Sequence, residues 1–348
     1  MLSCLAPMDG ITDCAYRIVC KEVFSRHGKK WDQLMLWTEF MSADGYYHNP
    51  PWVIKHLLKS DYDHETIAQI FWWNEDTLVA CAKDIDSRYD FEGIELNMWC
   101  PSPKIMKCAA GSGMMKDKKK SLAIISSIWS QITTPFSLKT RIWLTQDDVE
   151  EQFDFLIEAS KHVFLIAIHG RRYNQWHSWD VDRDFIYRLK QRLPNHSIIW
   201  NGWIRSYKQA EACLWNLDGI MIAQSAIWNP WVMTPHTPSV SEKYDLICRH
   251  LHLSIACEFY FKDTITDYET HNKLIQPTLE QLESLAQAYI SWAYTSETEP
   301  HAVVEFRKYL FNYVSGIDNS KELKKAIART RDYAWLKQLL DDFFLPLI

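Results

Sequence analysis

The chain has 348 residues, 47% of them apolar and 24% charged, a balance that suits one large globular domain joined to a smaller one. No apolar run reaches the ~20 residues of a membrane-spanning helix. The N-terminal residues lack the basic start and apolar core of a secretory signal, so a cytoplasmic protein with no membrane partner is expected. A net charge of −6 and an isoelectric point near 6.1 exclude a globally basic nucleic-acid binder, so any RNA contact must come from local patches.

The nine cysteines include no C-x-x-C pair, and an odd count in a chain this long argues for reduced thiols. For the same reason no metal is expected.

Taken in chain order, short β-rich apolar runs at 2–8, 34–40, 66–71, 93–98, 136–142, 163–169, 197–201 and 219–222 alternate with helix-period stretches. Those helical stretches fall at 13–26, 76–88, 121–131, 149–161 and 182–192. The alternation predicts a parallel sheet, either a closed eight-stranded barrel or an open doubly wound sheet. Met8, Glu39, Gln69, Asn97, Lys139, His169, Asn201 and Gln224 all fall at or just after a strand's C-terminal end. In a barrel those ends share one rim, which favours a (β/α)8 TIM barrel in the α/β class. Residues 231–241 are rich in Pro, Ser and Thr and read as a linker. After them come helix-period runs at 244–261, 279–292, 302–314, 321–329 and 332–343, with no strand signal. The expected division is a catalytic barrel over 1–235 and a small C-terminal helical bundle over 243–348.

Several stretches then resemble one family. Leu5-Ala6-Pro7-Met8-Asp9-Gly10-Ile11-Thr12-Asp13 resembles the opening strand and loop of the bacterial tRNA-dihydrouridine synthases, and Glu95-Leu96-Asn97-Met98-Trp99-Cys100-Pro101 resembles their N-x-G-C-P loop. Leu138-Lys139-Thr140-Arg141, Ile168-His169-Gly170-Arg171, Asn201-Gly202-Trp203-Ile204 and Asp218-Gly219-Ile220-Met221-Ile222 follow in family order and spacing. The resemblance implies a flavoprotein that binds FMN, uses NADPH (or NADH) as reductant and acts on tRNA as a monomer. Reducing uracil's C5=C6 bond takes a hydride at C6 and a proton at C5. Reduced flavin would supply the hydride. Cys100 would supply the proton, since a thiol is mostly protonated at neutral pH. A lone cysteine is otherwise a small buried hydrophobe, which is the reading for the other eight.

The resemblance also implies the binding residues. Lys139 would face the electron-rich edge of the flavin. Gln69 and Asn97 would bond its ring or position the pyrimidine, and His169 would lie near it. Ala6, Pro7 and Met8 would line it. Asn201, Gly202, Trp203, Ala223 and Gln224 would approach the phosphate from the loops after strands seven and eight. Ala223-Gln224 departs from the family's Gly-Arg and removes a cation. Lys104, Arg171 and Arg172 on the rim would meet tRNA. The run 321–331, with five cations and one acid, is either a second contact for tRNA or a solvated helix face, with Lys321, Lys325 and Arg329 toward one side.

Tryptophan (17) outnumbers glycine (10), and Trp99, Trp72 or Trp73, Trp143, Trp179 and Trp228 stand where the family has glycine. Trp231 resembles a true family tryptophan. Glycine serves positive φ or close backbone approach, so an indole there would fill space the ligands need. Two explanations stand: a decayed homologue, or UGA codons that specify glycine and are written as tryptophan. A free-pyrimidine FMN oxidoreductase (dihydroorotate dehydrogenase-like) and an inactive tRNA-binding homologue remain the rival functions.

Overall fold

In the computed structural model, which describes residues 1–100, 102–142, 149–172, 181–271, 276–293 and 301–348, eight parallel strands follow one another around a ring. They are β1 (Leu2–Leu5), β2 (Gln33–Ser42), β3 (Thr66–Phe71), β4 (Gly93–Met98), β5 (Phe136–Arg141), β6 (Leu165–His169), β7 (Ser197–Asn201) and β8 (Gly219–Ile222). Pairing of β8 with β1, from Leu2↔Gly219 to Leu5↔Ile222, closes the barrel and removes the open-sheet alternative. Two strands differ from expectation at their C-terminal ends by more than one residue, and β6 starts two residues late, at Leu165. β1 stops at Leu5, because Met8 turns into a loop in which its carbonyl accepts from Ile11 and Thr12. β2 runs on to Ser42 through a register shift between Trp37 and Phe40.

Helices begin where a short polar side chain can accept from the amide three residues on. Asn74 caps Glu75–Arg88, Asp117 caps Lys118–Trp129 and Asp182 caps Arg183–Arg192, each cap contributing about 1 kcal/mol. Ser206 does the same for Tyr207–Leu214, a helix the sequence reading omitted. Its eight residues bury only Tyr207, Ala210 and Cys213, too short a stretch for periodicity to declare.

Strand alternation sorts the barrel interior into layers. Cys4, Trp37, Ile67, Leu165, Ala167, Ile199 and Met221 form the apolar filling. Ala6 belongs to the same apolar cluster, and further along the inward faces come Gln69, Glu95, Asn97, Lys139, His169 and Asn201. A barrel built only for stability would continue with aliphatic side chains. The second layer is polar instead.

By its internal contacts the chain divides into two compact units. One comprises Met1–Thr12, Lys30–Leu57 and His64–Ser225, and holds the barrel. The other comprises Asp13–Lys29, Leu58–Asp63 and Ala226–Ile348. In the second unit the helices Val240–His271, Leu279–Ala293, His301–Tyr313, Ser320–Ile327 and Tyr333–Phe344 pack with Cys14–His27. Residues 231–241 are less loose than expected of a linker: Trp231, Val232, Met233 and Thr234 are buried, and the long helix begins at Val240. A buried ion pair, Arg17 Nε to Asp63 Oδ2 at 2.7 Å, braces this unit, and Ser60 donates its amide and hydroxyl to the same carboxylate.

His250 is fully buried there, 3.0 Å from the Tyr313 hydroxyl, and burial pushes its pKa down to about 3. Between that value and the ordinary 6.5 the unfolded chain binds a proton that the native one does not. Stability therefore falls as pH drops from about 6.5, by about 1.4 kcal/mol per unit for this group. His250→Phe should flatten the acid side of the melting-temperature profile between pH 7 and 5. Parallel profiles for the two proteins would refute this.

Candidate active site at the barrel mouth

The polar layer is bonded as a relay. Gln69 on β3 donates Nε2 to Glu95 Oε1 at 2.6 Å, and Asn97 donates Nδ2 to Gln69 Oε1 at 2.9 Å. On the other side Lys139 donates Nζ to Asn201 Oδ1 at 3.2 Å, and Asn201 donates Nδ2 to the Met221 carbonyl at 2.8 Å. All five side chains are buried. Unbonded, each would cost several kcal/mol, so the bonds explain how they are tolerated, and their cost explains why a purely structural barrel lacks them.

Glu95 is the member that sequence reasoning missed. Burial pushes its carboxyl up to about 7, against the opposing pull of Lys139 and the Gln69 hydrogen bond. Burial likewise pushes Lys139 down to about 7, with Glu95 working against it. Each charge limits the other's shift, so the lysine stays poised near neutrality. The available signal was the two-residue spacing of Glu95 and Asn97 within an otherwise apolar strand, which places both inward.

Cys100 follows β4 on a loop that Asn97 holds. The Asn97 Oδ1 accepts from the backbone amides of Trp99 and Cys100, both at 3.1 Å. The Cys100 carbonyl accepts from Ser112 N and Oγ, at 3.1 and 2.8 Å. Gly111, at φ +56°, sits so close that a Cβ there would lie 2.9 Å from the Cys100 carbonyl oxygen. Burial raises the thiol's pKa, so it holds its proton at neutral pH. Charge from Arg141 and Lys139 opposes that shift, which places the sulfur in the same electrostatic neighbourhood as the ammonium. Asn97 thus serves the loop and the relay at once, rather than facing a ligand alone.

The remaining expected residues distribute around the same rim. His169 ends β6 beside Asn201 in register, and Gly202, at φ +114°, passes so near that a Cβ would lie 3.0 Å from the imidazole. Ala6 and Pro7 are buried, and the Ala6 amide bonds Ile222 at 2.9 Å, which brings Ala6–Met8 next to Ala223 and the exposed Gln224. Arg171 is buried with its guanidinium 4.8 Å from the Trp203 ring. The Arg172 carbonyl accepts from Arg141. Pro101, Trp143 and Trp179 lie outside the described residues, and so does the side chain of Lys104. Of the basic run, Lys321 and Lys325 are exposed on the helix Ser320–Ile327, whereas Arg329 falls beyond that helix's end and does not extend its face.

One side chain fits none of this. The Trp99 indole lies with its centroid 3.8 Å from Lys139 Nζ and 5.6 Å from the Arg141 guanidinium carbon, and its ring centroid is 6.1 Å from that of His169. Its Nε1 is buried with no hydrogen-bond partner among the described residues. The indole therefore covers the lysine that the polar layer presents.

A sequence model described as dihydrouridine synthase matches residues 4–345. A Rickettsia conorii protein called a probable tRNA-dihydrouridine synthase is 22% identical over 355 residues, covering 98% of this chain and 92% of its own. A Helicobacter pylori protein of the same description is 28% identical over 266 residues, covering 74% and 77%. A Yersinia pestis tRNA-dihydrouridine(20/20a) synthase is 27% identical over 218 residues, covering 58% and 61%. A family match that spans the closed barrel, the thiol loop and the helices after it leaves one conclusion: the chain belongs to the dihydrouridine synthase family.

Proposed function

We propose that this protein is a tRNA-dihydrouridine synthase that reduces the C5=C6 bond of specific uridines in tRNA. The observation that carries the reading is that one barrel mouth holds a buried thiol at Cys100, on a loop gripped by Asn97, together with the buried Lys139 bonded to Asn201. Cys100 would give its proton to C5 of the base, while the hydride for C6 would have to come from a reduced cofactor that the Trp99 indole keeps from the face of Lys139. Asn97 fixes the loop that aims it, and the Glu95–Gln69–Asn97 relay keeps Asn97 in place. A base can reach this depth only if it leaves its stack, so a flipped-out uridine is the natural substrate form.

Lys139, Gln69 and Asn201 suit a ring with an electron-rich edge, and the loops after β7 and β8 suit FMN's phosphate. The Trp99 indole does not suit it, because it takes the face of Lys139 that such a ring needs. With tryptophan at 99 the site does not accept FMN. That same indole favours a second reading, a tRNA-binding homologue without activity.

The rim residues Lys104 and Arg172 and the helical segment 243–348, with exposed Lys321 and Lys325, are the proposed tRNA contacts, whereas Arg171 is buried against Trp203 and does not face a ligand from the rim as expected. A cytoplasmic monomer using NADPH (or NADH) completes the reading. Among the described residues no helix is long and apolar enough to cross a membrane.

Expression in a bacterial strain stripped of its own dihydrouridine synthases tests the proposal. Dihydrouridine should reappear at defined tRNA positions with glycine at 99. Its absence with either glycine or tryptophan at 99, from a soluble protein that still shifts tRNA on a gel, would favour the inactive reading.

A further inference from the structure

Six residues other than glycine have φ in the left-handed half among the described residues, and three of them are tryptophans: Trp203 at 64°, Trp215 at 38° and Trp228 at 55°. Tryptophan makes up 17 of 348 residues, so an even scatter would put well under one there. A bulky side chain is a true outlier at positive φ, where glycine is the default.

Each position has a local reason to need that backbone. The Leu217 amide bonds the Leu214 carbonyl at 2.7 Å, which makes Trp215 the second residue of a tight turn. Its φ of 38° and ψ of −105° approach the second position of a type II′ turn, which demands glycine. In the turn closed by the bond from the Asn229 amide to Ala226, Trp228 holds the third position, where positive φ again selects glycine. Trp203 follows Gly202, itself at φ 114°, so two successive left-handed residues take the chain past His169. Trp99 has no such φ. It is singled out by its indole, which lies over Lys139 with a buried Nε1 that has no hydrogen-bond partner among the described residues.

Decay does not explain the selection. Random substitution would not choose the backbone sites that only glycine fills freely, and it would not leave Cys100, Lys139, Gln69, Asn97 and Asn201 in place. A single codon with two meanings does explain it. UGA is read as glycine in some bacterial lineages and as tryptophan in others.

We propose that the natural protein carries glycine at positions 99, 203, 215 and 228, through UGA codons read as glycine, and that the barrel mouth is consequently open above Lys139. The assignments at 203 and 215 stand on backbone geometry alone, and that at 228 on backbone geometry together with its place at a family glycine. The assignment at 99 also rests on the function proposed above. Trp231, buried in the turn Pro230–Met233 without positive φ, remains tryptophan.

Peptide mass spectrometry of the protein isolated from the organism that encodes it decides the matter directly. Glycine masses at 203, 215 and 228 with tryptophan at 231 are expected, and tryptophan masses at those three sites would overturn the proposal. A recombinant comparison checks the physical reason. Trp215, 65% exposed, can be replaced without leaving a core cavity. Trp215→Gly should raise the melting temperature by roughly 2–4 °C, whereas Trp215→Ala, which keeps a Cβ, should not. Equal effects of Gly and Ala would show that the backbone has no need of glycine. For position 99, Trp99→Gly should yield a protein that retains flavin absorbance through gel filtration, while the Trp99 form is colourless. If glycine is found at 203, 215 and 228 but Trp99→Gly stays colourless, the decoding stands and the functional reading fails.

Discussion

Cys100→Ala, made in the protein with glycine at 99, should lower dihydrouridine formation by roughly 10²–10⁴-fold, the usual contribution of a positioned general acid. Binding of tRNA should stay within about twofold, because the loop that carries residue 100 is held by its backbone. Asn97 Oδ1 grips the amides of 99 and 100, and Ser112 grips the carbonyl of 100, and none of these bonds uses the sulfur. The side chain is therefore removable without loss of its scaffold. Because burial raises the thiol's pKa, ionisation of Cys100 should lower the wild-type rate only on the alkaline side, beyond the loss of the Lys139 charge near pH 7. In the alanine variant that alkaline fall should vanish together with the activity. A variant that turns over within tenfold of wild type, with the same alkaline limb, would remove Cys100 from the chemistry.

How much of this was legible without coordinates depends on the length scale of each signal. Strands such as Thr66–Phe71 and Gly93–Met98 were legible to the residue, because a buried parallel strand is a continuous apolar run bounded by polar residues. The rim was legible for the same reason: Lys139 and Asn201 interrupt apolar runs at their ends, where only function keeps a polar group. Glu95 escaped because it sits inside its run, and its meaning emerges only from Gln69, which is 26 residues away in sequence and 2.6 Å away in space. The short helix Tyr207–Leu214 escaped because three buried positions do not make a period. Tryptophan at glycine sites was partly legible. Positions 99 and 228 declare themselves against a motif, while Trp215 lies in a turn with no motif at all and is exposed only by its φ. Membership of Cys14–His27 in the same compact unit as the C-terminal helices was not legible, because a long-range packing choice leaves no local trace.

Lys139→Met should separate function from stability more cleanly than any other change in the barrel. Lys139 is the one basic group of the relay, charged in part at neutral pH because burial pushes it down to about 7, and losing a preorganised electrostatic group of this kind costs roughly 10²–10³-fold in rate. With glycine at 99, retention of flavin through gel filtration should also be lost. The fold should survive, because Glu95 adjusts. Burial already raises its carboxyl to about 7, and Lys139 is the leading influence holding it down. Without the lysine that pKa rises further, and the carboxyl stays protonated at neutral pH as a hydrogen-bonding acid, not as an unpaired charge. The sign of the pH effect follows. A carboxyl that keeps its proton to a higher pH when folded than when unfolded makes stability fall as pH rises from about 4.5 to its folded value. In wild type that fall should end near pH 7, and in Lys139→Met it should continue above it. Melting temperatures from pH 5 to 9 would reveal the extended slope. Adding Glu95→Gln to Lys139→Met should abolish it, since the amide has no proton to lose. If the slope persisted in the double variant, Glu95 would not be the lysine's partner, and the relay as described would be wrong.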